Sequence, residues 1–199
     1  MNKWDIYAPF YDFTRKFERK AYEKMYANIR KTIKNKNVLE LATGTGIIAR
    51  NVADSAKHIT ATDFSEKMIE QAEKNIKIGN IDFSVEDACN LPYNNNTYDV
   101  VIIANALHIM PNPEKALAEI KRVLKPDGVL IAPTYVWGSM SLRQRLSAIF
   151  LRLFGFKVEH SWEKGSYIKY LSDNGWKCTA SEVLNGCYPL CYAECEKSE

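Results

Sequence analysis

The chain has 199 residues, of which 46% are hydrophobic and 26% are charged, and its formal net charge is +3. This length suits one ordinary domain with a substantial core, and the composition is that of a folded globular protein. The longest apolar run, residues 100–110, is too short to cross a bilayer, and residues 1–5 lack the apolar stretch of a secretion signal, so we expect a cytoplasmic protein that at most associates with a membrane.

The amino-terminal part of the chain is basic. Residues 14–36 carry nine Lys or Arg against two Glu, and the pattern predicts an amphipathic helix over residues 14–34, ahead of the main fold. Two interpretations explain such a charge run equally well: a solvated helix face, or a surface that faces an anionic substrate or a membrane.

The central part alternates strand-like and helix-like patterns. In chain order we expect a strand at 38–42, a helix at 47–57, a strand at 58–63, a helix capped by Ser65, strands at 81–86 and 98–104, a helix at 113–124, a turn at 125–128 and a strand at 129–133. This alternation is typical of an open parallel sheet with helices on both faces, so the predicted fold class is α/β.

The carboxy-terminal part contains a second basic amphipathic segment. It covers residues 138–157 and is predicted as an inserted helix before the chain returns to a helix near 163–174. Two short strands are then expected around 176–183 and 187–195.

The stretch VLELATGTGIIAR, from Val38 to Arg50, is an apolar run that ends in glycines and then becomes helical. In a parallel α/β sheet, ligands bind beyond the carboxyl ends of the strands, where glycines let the backbone approach them. Residues 44–49 formally match the dinucleotide pattern G-x-G-x-x-G/A, which is a weak indication by itself. A tight strand-to-helix turn without a ligand is the alternative interpretation.

An acid, Glu40, stands just before this loop. A pyrophosphate would approach the loop as an anion, and a nearby carboxylate would repel it. S-adenosylmethionine has no phosphate and carries a sulfonium and an ammonium, so Glu40 suits its cationic amino-acid tail. Asp63, ending the second strand, can accept hydrogen bonds from the ribose hydroxyls, and Asp87-Ala88, after the third strand, can accept from the adenine amino group.

Taken in order, these motifs resemble those of class I S-adenosylmethionine-dependent methyltransferases, especially the branch of ubiquinone and menaquinone biosynthesis C-methyltransferases. The matching stretches are ELATGTG at 40–46, TDFS at 62–65, EDA at 86–88, YDVV at 98–101 and LKPDG at 124–128. The resemblance covers residues 36–134. The chain departs from the usual motif sequence at Ala42-Thr43, where the family has Gly-Cys. The alanine is expected to tighten the approach to the methionine tail.

The resemblance implies a fold and a cofactor. The fold is a Rossmann-like, doubly wound, seven-stranded sheet, mostly parallel with a C-terminal antiparallel hairpin, plus N-terminal and inserted cap helices. The cofactor is S-adenosyl-L-methionine and the product is S-adenosyl-L-homocysteine. The implied single methyltransferase domain covers residues 1–199. It comprises an N-terminal cap helix (1–35), a cofactor-binding core (36–134), an inserted substrate cap (135–162) and a C-terminal helix with hairpin (163–199).

The resemblance also assigns contacts to the cofactor. Asp63 would hold the ribose, Phe64 and Met68 would pack on the adenine, and Asn105 would line the methionine side. Ordinary core packing is the alternative for the two apolar residues. The full set of predicted cofactor-binding residues is Tyr11 (in YAPFYD), Glu40, Ala42, Thr43, Gly44, Gly46, Asp63, Phe64, Met68, Asp87, Ala88 and Asn105.

Methyl transfer from a sulfonium is an in-line displacement, in which positioning can be worth about 7–11 kcal/mol. A base is needed only if the acceptor is protonated. His108, in ANALHIM after the fourth strand, is the candidate base or acceptor-orienting group, because His titrates near neutrality. A hydrogen-bonded loop histidine is the alternative, and His160, Tyr7 and Tyr135 are weaker candidates.

The acceptor is expected under the two added segments. Residues 142–156 combine apolar side chains with Arg143, Arg145 and Arg152, which fits either a basic helix packed on the sheet or a lid that touches a membrane. A lid would suit a quinone-like or lipid-like small-molecule acceptor, with peripheral membrane contact through residues 140–157. Phospholipid headgroup N-methylation is the variant of this hypothesis.

The five cysteines follow no metal-binding or disulfide-framework spacing, so we expect reduced thiols and assign no metal. Cys187, Cys191 and Cys195 recur every fourth residue and would share one face of a strand. This spacing suggests the hypothesis that the protein methylates a thiol or a metalloid. The alternative is that these cysteines are simply small buried side chains.

Other classes of function stay open. A nicotinamide-dependent oxidoreductase explains the glycines but leaves Glu40 electrostatically misplaced, and a non-catalytic binding module is also possible. No nucleic-acid partner is expected, because Asn105-Ala-Leu-His replaces the Asn/Asp-Pro-Pro-aromatic signature of amino-group methylases. The two basic segments leave RNA as a minor alternative, which salt-dependent binding would test.

Overall fold

The computed structural model describes residues 18–74, 79–141, 144 and 158–198. The helices are α1 Arg19–Thr32, α2 Ile47–Val52, α3 Glu66–Lys74, α4 Pro113–Val123 and α5 Lys164–Asp173. The strands are β1 Asn37–Leu41, β2 His58–Asp63, β3 Ile81–Val85, β4 Tyr98–Ile103, β5 Leu124–Ile131, β6 Thr134–Tyr135, β7 Trp176–Asn185 and β8 Pro189–Lys197. Single 3₁₀ turns cover Leu107–Ile109 and Trp137–Ser139.

The strands form one eight-stranded sheet in the order β3-β2-β1-β4-β5-β8-β6, with β7 paired to β8 off this path. Strands β1 to β5 pair in parallel, and β8 runs antiparallel to β5, β6 and β7. The predicted α/β class and C-terminal antiparallel hairpin are confirmed. The sheet has eight strands where seven were expected, because the two-residue β6 pairs with β8 as well.

The core lies on both faces of the sheet, because the central strand β4 is apolar on both sides and its residues Val100–Ile103 are fully buried. One cluster packs Ala116, Leu117 and Ile120 of α4 against the sheet. The other packs Met25 and Ile29 of α1 with α2. Helices on both faces leave the ends of the strands as the accessible edges of the sheet.

The helix and strand boundaries mostly follow the sequence pattern. Ser65 caps α3 as predicted, since its Oγ accepts the backbone N–H of Met68 at 3.2 Å. The turn expected at 125–128 instead lies within β5: Leu124 pairs with Tyr98, and the ladder shifts register before Val129 pairs with Val100. An ion pair between Lys125 and Asp99 (2.6 Å) holds this irregular stretch on β4.

The prediction of reduced cysteines is wrong at one pair. Cys178 of β7 and Cys195 of β8 form a disulfide across the antiparallel ladder. Cys187 lies in the turn before β8, so it does not share a strand face with Cys191 and Cys195, as the four-residue spacing had suggested. The spacing failed because it assumed that the strand extends to residue 187.

Within the described ranges, no helix is both long enough and apolar enough to cross a bilayer.

Candidate active site

The predicted binding residues gather at the carboxyl edge of four adjacent strands. Glu40 lies near the end of β1, Asp63 ends β2, Asp87 follows β3, and Asn105 follows β4. The order β3-β2-β1-β4 makes these strand ends neighbours, and the register pairs Leu41 with both Thr62 and Ile103. Residues spread over 65 positions of sequence therefore meet at one edge of the sheet, where an open α/β sheet has its ligand crevice.

The loop after β1 has an unusual backbone. Ala42, Gly44 and Gly46 have φ values of 53°, 59° and 73°, all in the left-handed region that favours glycine. A Cβ on Gly46 would lie 2.9 Å from Cζ of Phe83 and 3.2 Å from Cβ of Ala72, so this glycine lets the loop pack closely on the sheet and α3. Ala42 occupies the same backbone region with a side chain, which costs about 1–2 kcal/mol.

Glu40 is buried deeply enough to change its chemistry. Its side chain is 1% exposed, and its Oε2 has no hydrogen-bond partner among the described residues. Burial raises the pKa of Glu40 to about 8; the charge of Asp63 adds to the shift, while the nearby Thr43 hydroxyl, the Ala49 N–H and Arg50 favour the ionised form. Without a ligand the carboxyl is therefore mostly neutral at pH 7, which corrects the expectation of an ionised acid at this position.

Asp63 ties the glycine loop to the end of β2. Its Oδ2 accepts the backbone N–H of Gly44 at 2.8 Å, and its Oδ1 accepts the backbone N–H of Ser65 at 2.9 Å. Hydrogen bonds to a charged acceptor are stronger than neutral ones, so this carboxylate sets the position of the loop backbone. The sequence placed Asp63 at the ligand but did not indicate this contact with the loop.

The residues predicted around the adenine differ in exposure. Phe64 is 65% exposed, whereas Met68 is buried in α3. The contacts with the adenine stay predictions for both residues. A large apolar ring at the edge of a crevice is available to cover a flat ligand. Asp87 accepts the backbone N–H of Cys89 through Oδ1 at 2.8 Å, and Ala88 is buried in the core.

Two further polar atoms in the crevice are buried and make no hydrogen bond within the described part of the chain. They are Oγ1 of Thr43, beside Glu40, and Oδ1 of Asn105. Asn105 adopts φ 55° and its Nδ2 donates to the hydroxyl of Tyr22 on α1 at 2.8 Å. Tyr22 thus supports the crevice from a residue 83 positions away, and no signal in the sequence pointed to it.

His108 lies in the loop after β4 and is 1% exposed. Its Nδ1 is hydrogen-bonded to Oγ1 of Thr134 at 2.9 Å, and its ring packs edge-on against Tyr135 with centroids 6.0 Å apart. The ring of Trp137 lies at the same centroid distance. The imidazole is therefore held in one orientation, as the alternative of a hydrogen-bonded loop histidine requires. Thr134 and Trp137 were missed, because nothing local marks residues after the fifth strand as partners of this loop.

Several predicted residues lie outside the described part of the chain. They are Tyr7, Tyr11, Arg143, Arg145, Arg152 and the rest of the inserted segment 145–157. The expectations attached to them, a cover over the cofactor and a membrane-touching lid, stay predictions.

The chain is similar to known methyltransferases. A family model described as a methyltransferase domain matches residues 39–132. A demethylmenaquinone methyltransferase of Renibacterium salmoninarum is 32% identical over 205 residues, which covers 92% of this chain and 86% of that relative.

Solved structures share the fold. A putative methyltransferase from Haloferax volcanii, solved in complex with the methyltransferase activator Trm112, superposes with a TM-score of 0.83 over 100% of this chain and 99% of that one, at 16% identity. The protein in the DhpI–SAH complex superposes with a TM-score of 0.77 over 98% and 93% of the two chains, at 22% identity. At these identities the likeness concerns the fold alone.

Proposed function

The chain belongs to the class I S-adenosylmethionine-dependent methyltransferases and resembles the ubiquinone and menaquinone branch, and from this premise we propose that it methylates a small, hydroxylated aromatic acceptor of the quinol type. The proposal includes the residues that bind the cofactor and those that meet the acceptor.

The observation that carries the cofactor assignment is the buried Oε2 of Glu40, which has no hydrogen-bond partner in the described part of the chain. A buried carboxyl with one oxygen left unpaired costs stability, and a cation that enters beside that oxygen supplies a partner and favours the ionised form. The amino-acid tail of S-adenosylmethionine offers an ammonium for this position. Oγ1 of Thr43 and Oδ1 of Asn105, which also lack hydrogen-bond partners among the described residues, suit the polar atoms of the same tail.

The nucleoside part of the cofactor fits the next strand. Asp63 would accept the ribose hydroxyls while it holds the loop through Gly44, since an ionised carboxylate can accept about four hydrogen bonds. The exposed ring of Phe64 would cover the adenine, and Asp87 with Ala88 would frame the amino edge.

When bound, the cofactor supplies a methyl group on a sulfonium, and transfer leaves a neutral thioether. The carbon–sulfur bond breaks as the methyl bonds to the acceptor, which loses a proton if a hydroxyl oxygen or a ring carbon is the methylated atom. The protein contributes by alignment. His108, fixed by Thr134 beside the strand ends, is proposed to orient the acceptor or to take up its proton.

The acceptor class is supported by the curated relative, which is named for a demethylmenaquinone substrate and is 32% identical to this chain. Aromatic side chains around His108, such as Tyr135 and Trp137, favour a flat ring over an aliphatic group.

A screen with radiolabelled methyl donor tests the proposal. The acceptors are a 1,4-naphthoquinol, a monophenol, phosphatidylethanolamine vesicles and a thiol. We expect label in the quinol and little in the others. Label in the phospholipid or the thiol, with none in the quinol, would contradict the acceptor class.

A further inference from the structure

Three aromatic side chains form a stacked group, two from the segment before α5 and one from α5 itself. His160 and Trp162 stack with ring centroids 5.0 Å apart and an interplanar angle of 7°. Tyr170 lies 4.8 Å from Trp162 by centroids, at 32°. We call these three residues the aromatic stack. Trp162 is buried, while His160 and Tyr170 are half-buried, so the group borders the protein surface.

The aromatic stack carries two polar atoms that the fold leaves without partners. Nε2 of His160 and Oη of Tyr170 are both buried, and neither has a hydrogen-bond partner in the described ranges. Tyr167, one helical turn earlier, shows the usual arrangement, since its hydroxyl donates to the backbone oxygen of Ala132 at 2.7 Å. Buried polar groups are nearly always paired, so two orphans within one group of rings indicate that a ligand completes them.

The stack lies next to the candidate active site. The backbone N–H of His160 donates to the backbone oxygen of His108 at 3.0 Å, which attaches this segment to the loop after β4. Tyr170 lies within reach of the charge of Glu114, in the first turn of α4 directly after that loop. Asn105, at the start of the loop, is assigned above to the methionine side of the cofactor. A molecule on the stack would therefore lie beside the loop that carries Asn105 and His108.

We propose that the aromatic stack binds the methyl acceptor: its rings contact the acceptor ring, and Oη of Tyr170 and Nε2 of His160 hydrogen-bond an acceptor hydroxyl. The inference rests on the proposed function, because it names the binding site for the acceptor of that reaction. Burial, with a contribution from the charge of Glu114, raises the pKa of Tyr170 to about 12, so its hydroxyl keeps its proton and can donate.

The chemistry of the stack selects for a hydroxylated ring. A planar aromatic molecule uses the ring faces, and its hydroxyl satisfies both orphaned atoms, because a hydroxyl donates once and accepts twice. An aliphatic headgroup would satisfy the polar atoms but make no ring contact with the half-buried His160 and Tyr170, and a plain hydrocarbon ring would do the reverse.

The test measures binding to protein saturated with S-adenosylhomocysteine, so that no turnover occurs. The probes are 1,4-dihydroxynaphthalene, kept reduced under anaerobic conditions, and naphthalene, which lacks hydroxyls. The variants are Tyr170→Phe and His160→Phe, with Tyr98→Phe at the opposite end of β4 as the matched control. We expect Tyr170→Phe to weaken 1,4-dihydroxynaphthalene about three- to tenfold, to leave naphthalene within about twofold, and to raise the unfolding temperature by about 2–4 °C because an orphaned hydroxyl is removed.

An unchanged affinity for 1,4-dihydroxynaphthalene in Tyr170→Phe and His160→Phe would overturn the inference, and so would an equal loss for both probes. If Tyr170→Phe does not fold, His160→Phe provides the second test of the same site. Methyl transfer is assayed in parallel with labelled donor. Absence of transfer to the quinol contradicts the proposed function, whereas the binding difference between the two probes bears on the aromatic stack alone.

Discussion

The burial of Glu40 predicts that cofactor binding depends on pH. Its pKa of about 8 leaves roughly nine in ten unliganded molecules protonated at this site at pH 7. If the cationic tail of the cofactor requires the ionised carboxylate, binding must first remove that proton. The dissociation constant of S-adenosylhomocysteine should then fall about 50-fold between pH 6 and pH 8, and close to 0.9 proton should be released per molecule bound at pH 7.

Replacing Glu40 by Gln separates this site from all others. The amide matches the neutral carboxyl in shape but cannot ionise, so Glu40→Gln should bind S-adenosylhomocysteine at least about tenfold more weakly at pH 8, with no tightening from pH 6 to pH 8. Titration calorimetry in two buffers of different ionisation enthalpy measures both the affinity and the proton release. Glu70→Gln, on the exposed side of α3, removes the same charge and should behave as the native chain.

The same shift affects the stability of the unliganded protein. The native state holds a proton on Glu40 up to about pH 8, whereas the unfolded chain releases it near its usual value of 4.5. The folded form thus binds more protons between these values, and stability falls as pH rises through this window, by roughly 5 kcal/mol at about 1.36 kcal/mol per pH unit. The difference between native and Glu40→Gln proteins in urea unfolding should follow this slope. An affinity for S-adenosylhomocysteine that is flat from pH 6 to pH 8 in the native protein would refute the reasoning.

Two further predictions concern the glycine loop. Asp63→Asn removes one of the two acceptor oxygens that hold Gly44 and Ser65, so it should cost about 1.5–3 kcal/mol of stability. It should also weaken the binding of S-adenosylhomocysteine at least about tenfold, as measured by calorimetry. Unchanged affinity would remove the ribose assignment. Gly46→Ala adds a Cβ at φ 73° against Phe83 and should lower the free energy of unfolding in urea by about 2–4 kcal/mol. Ala42→Gly should change that free energy by less than about 1 kcal/mol, because relief of backbone strain and the entropy of glycine oppose each other. Similar losses in both variants would show that the close contact with Phe83 is not what requires a glycine at position 46.

Local patterns predicted the part of the fold that local chemistry controls. The apolar runs and helical stripes indicated an α/β sheet, and the acids at strand ends indicated a shared edge, because parallel strands bring their carboxyl ends together. Ser65 was recognised as a cap because capping depends on residues three positions apart.

Features that depend on distant contacts could not be predicted in this way. The environment of Glu40 results from packing around β1, and its altered pKa follows only from that burial. The Tyr22–Asn105 and Thr134–His108 hydrogen bonds join residues 83 and 26 positions apart. The disulfide between Cys178 and Cys195 depends on the register of β7 against β8, which the spacing of cysteines does not reveal.

The electrostatic assignment of the crevice is tested most directly by titrating the native protein with S-adenosylhomocysteine and with NADH, side by side at pH 8. The account predicts one molecule of S-adenosylhomocysteine bound per chain and no measurable heat from NADH. Binding of NADH, with no binding of S-adenosylhomocysteine, would contradict it.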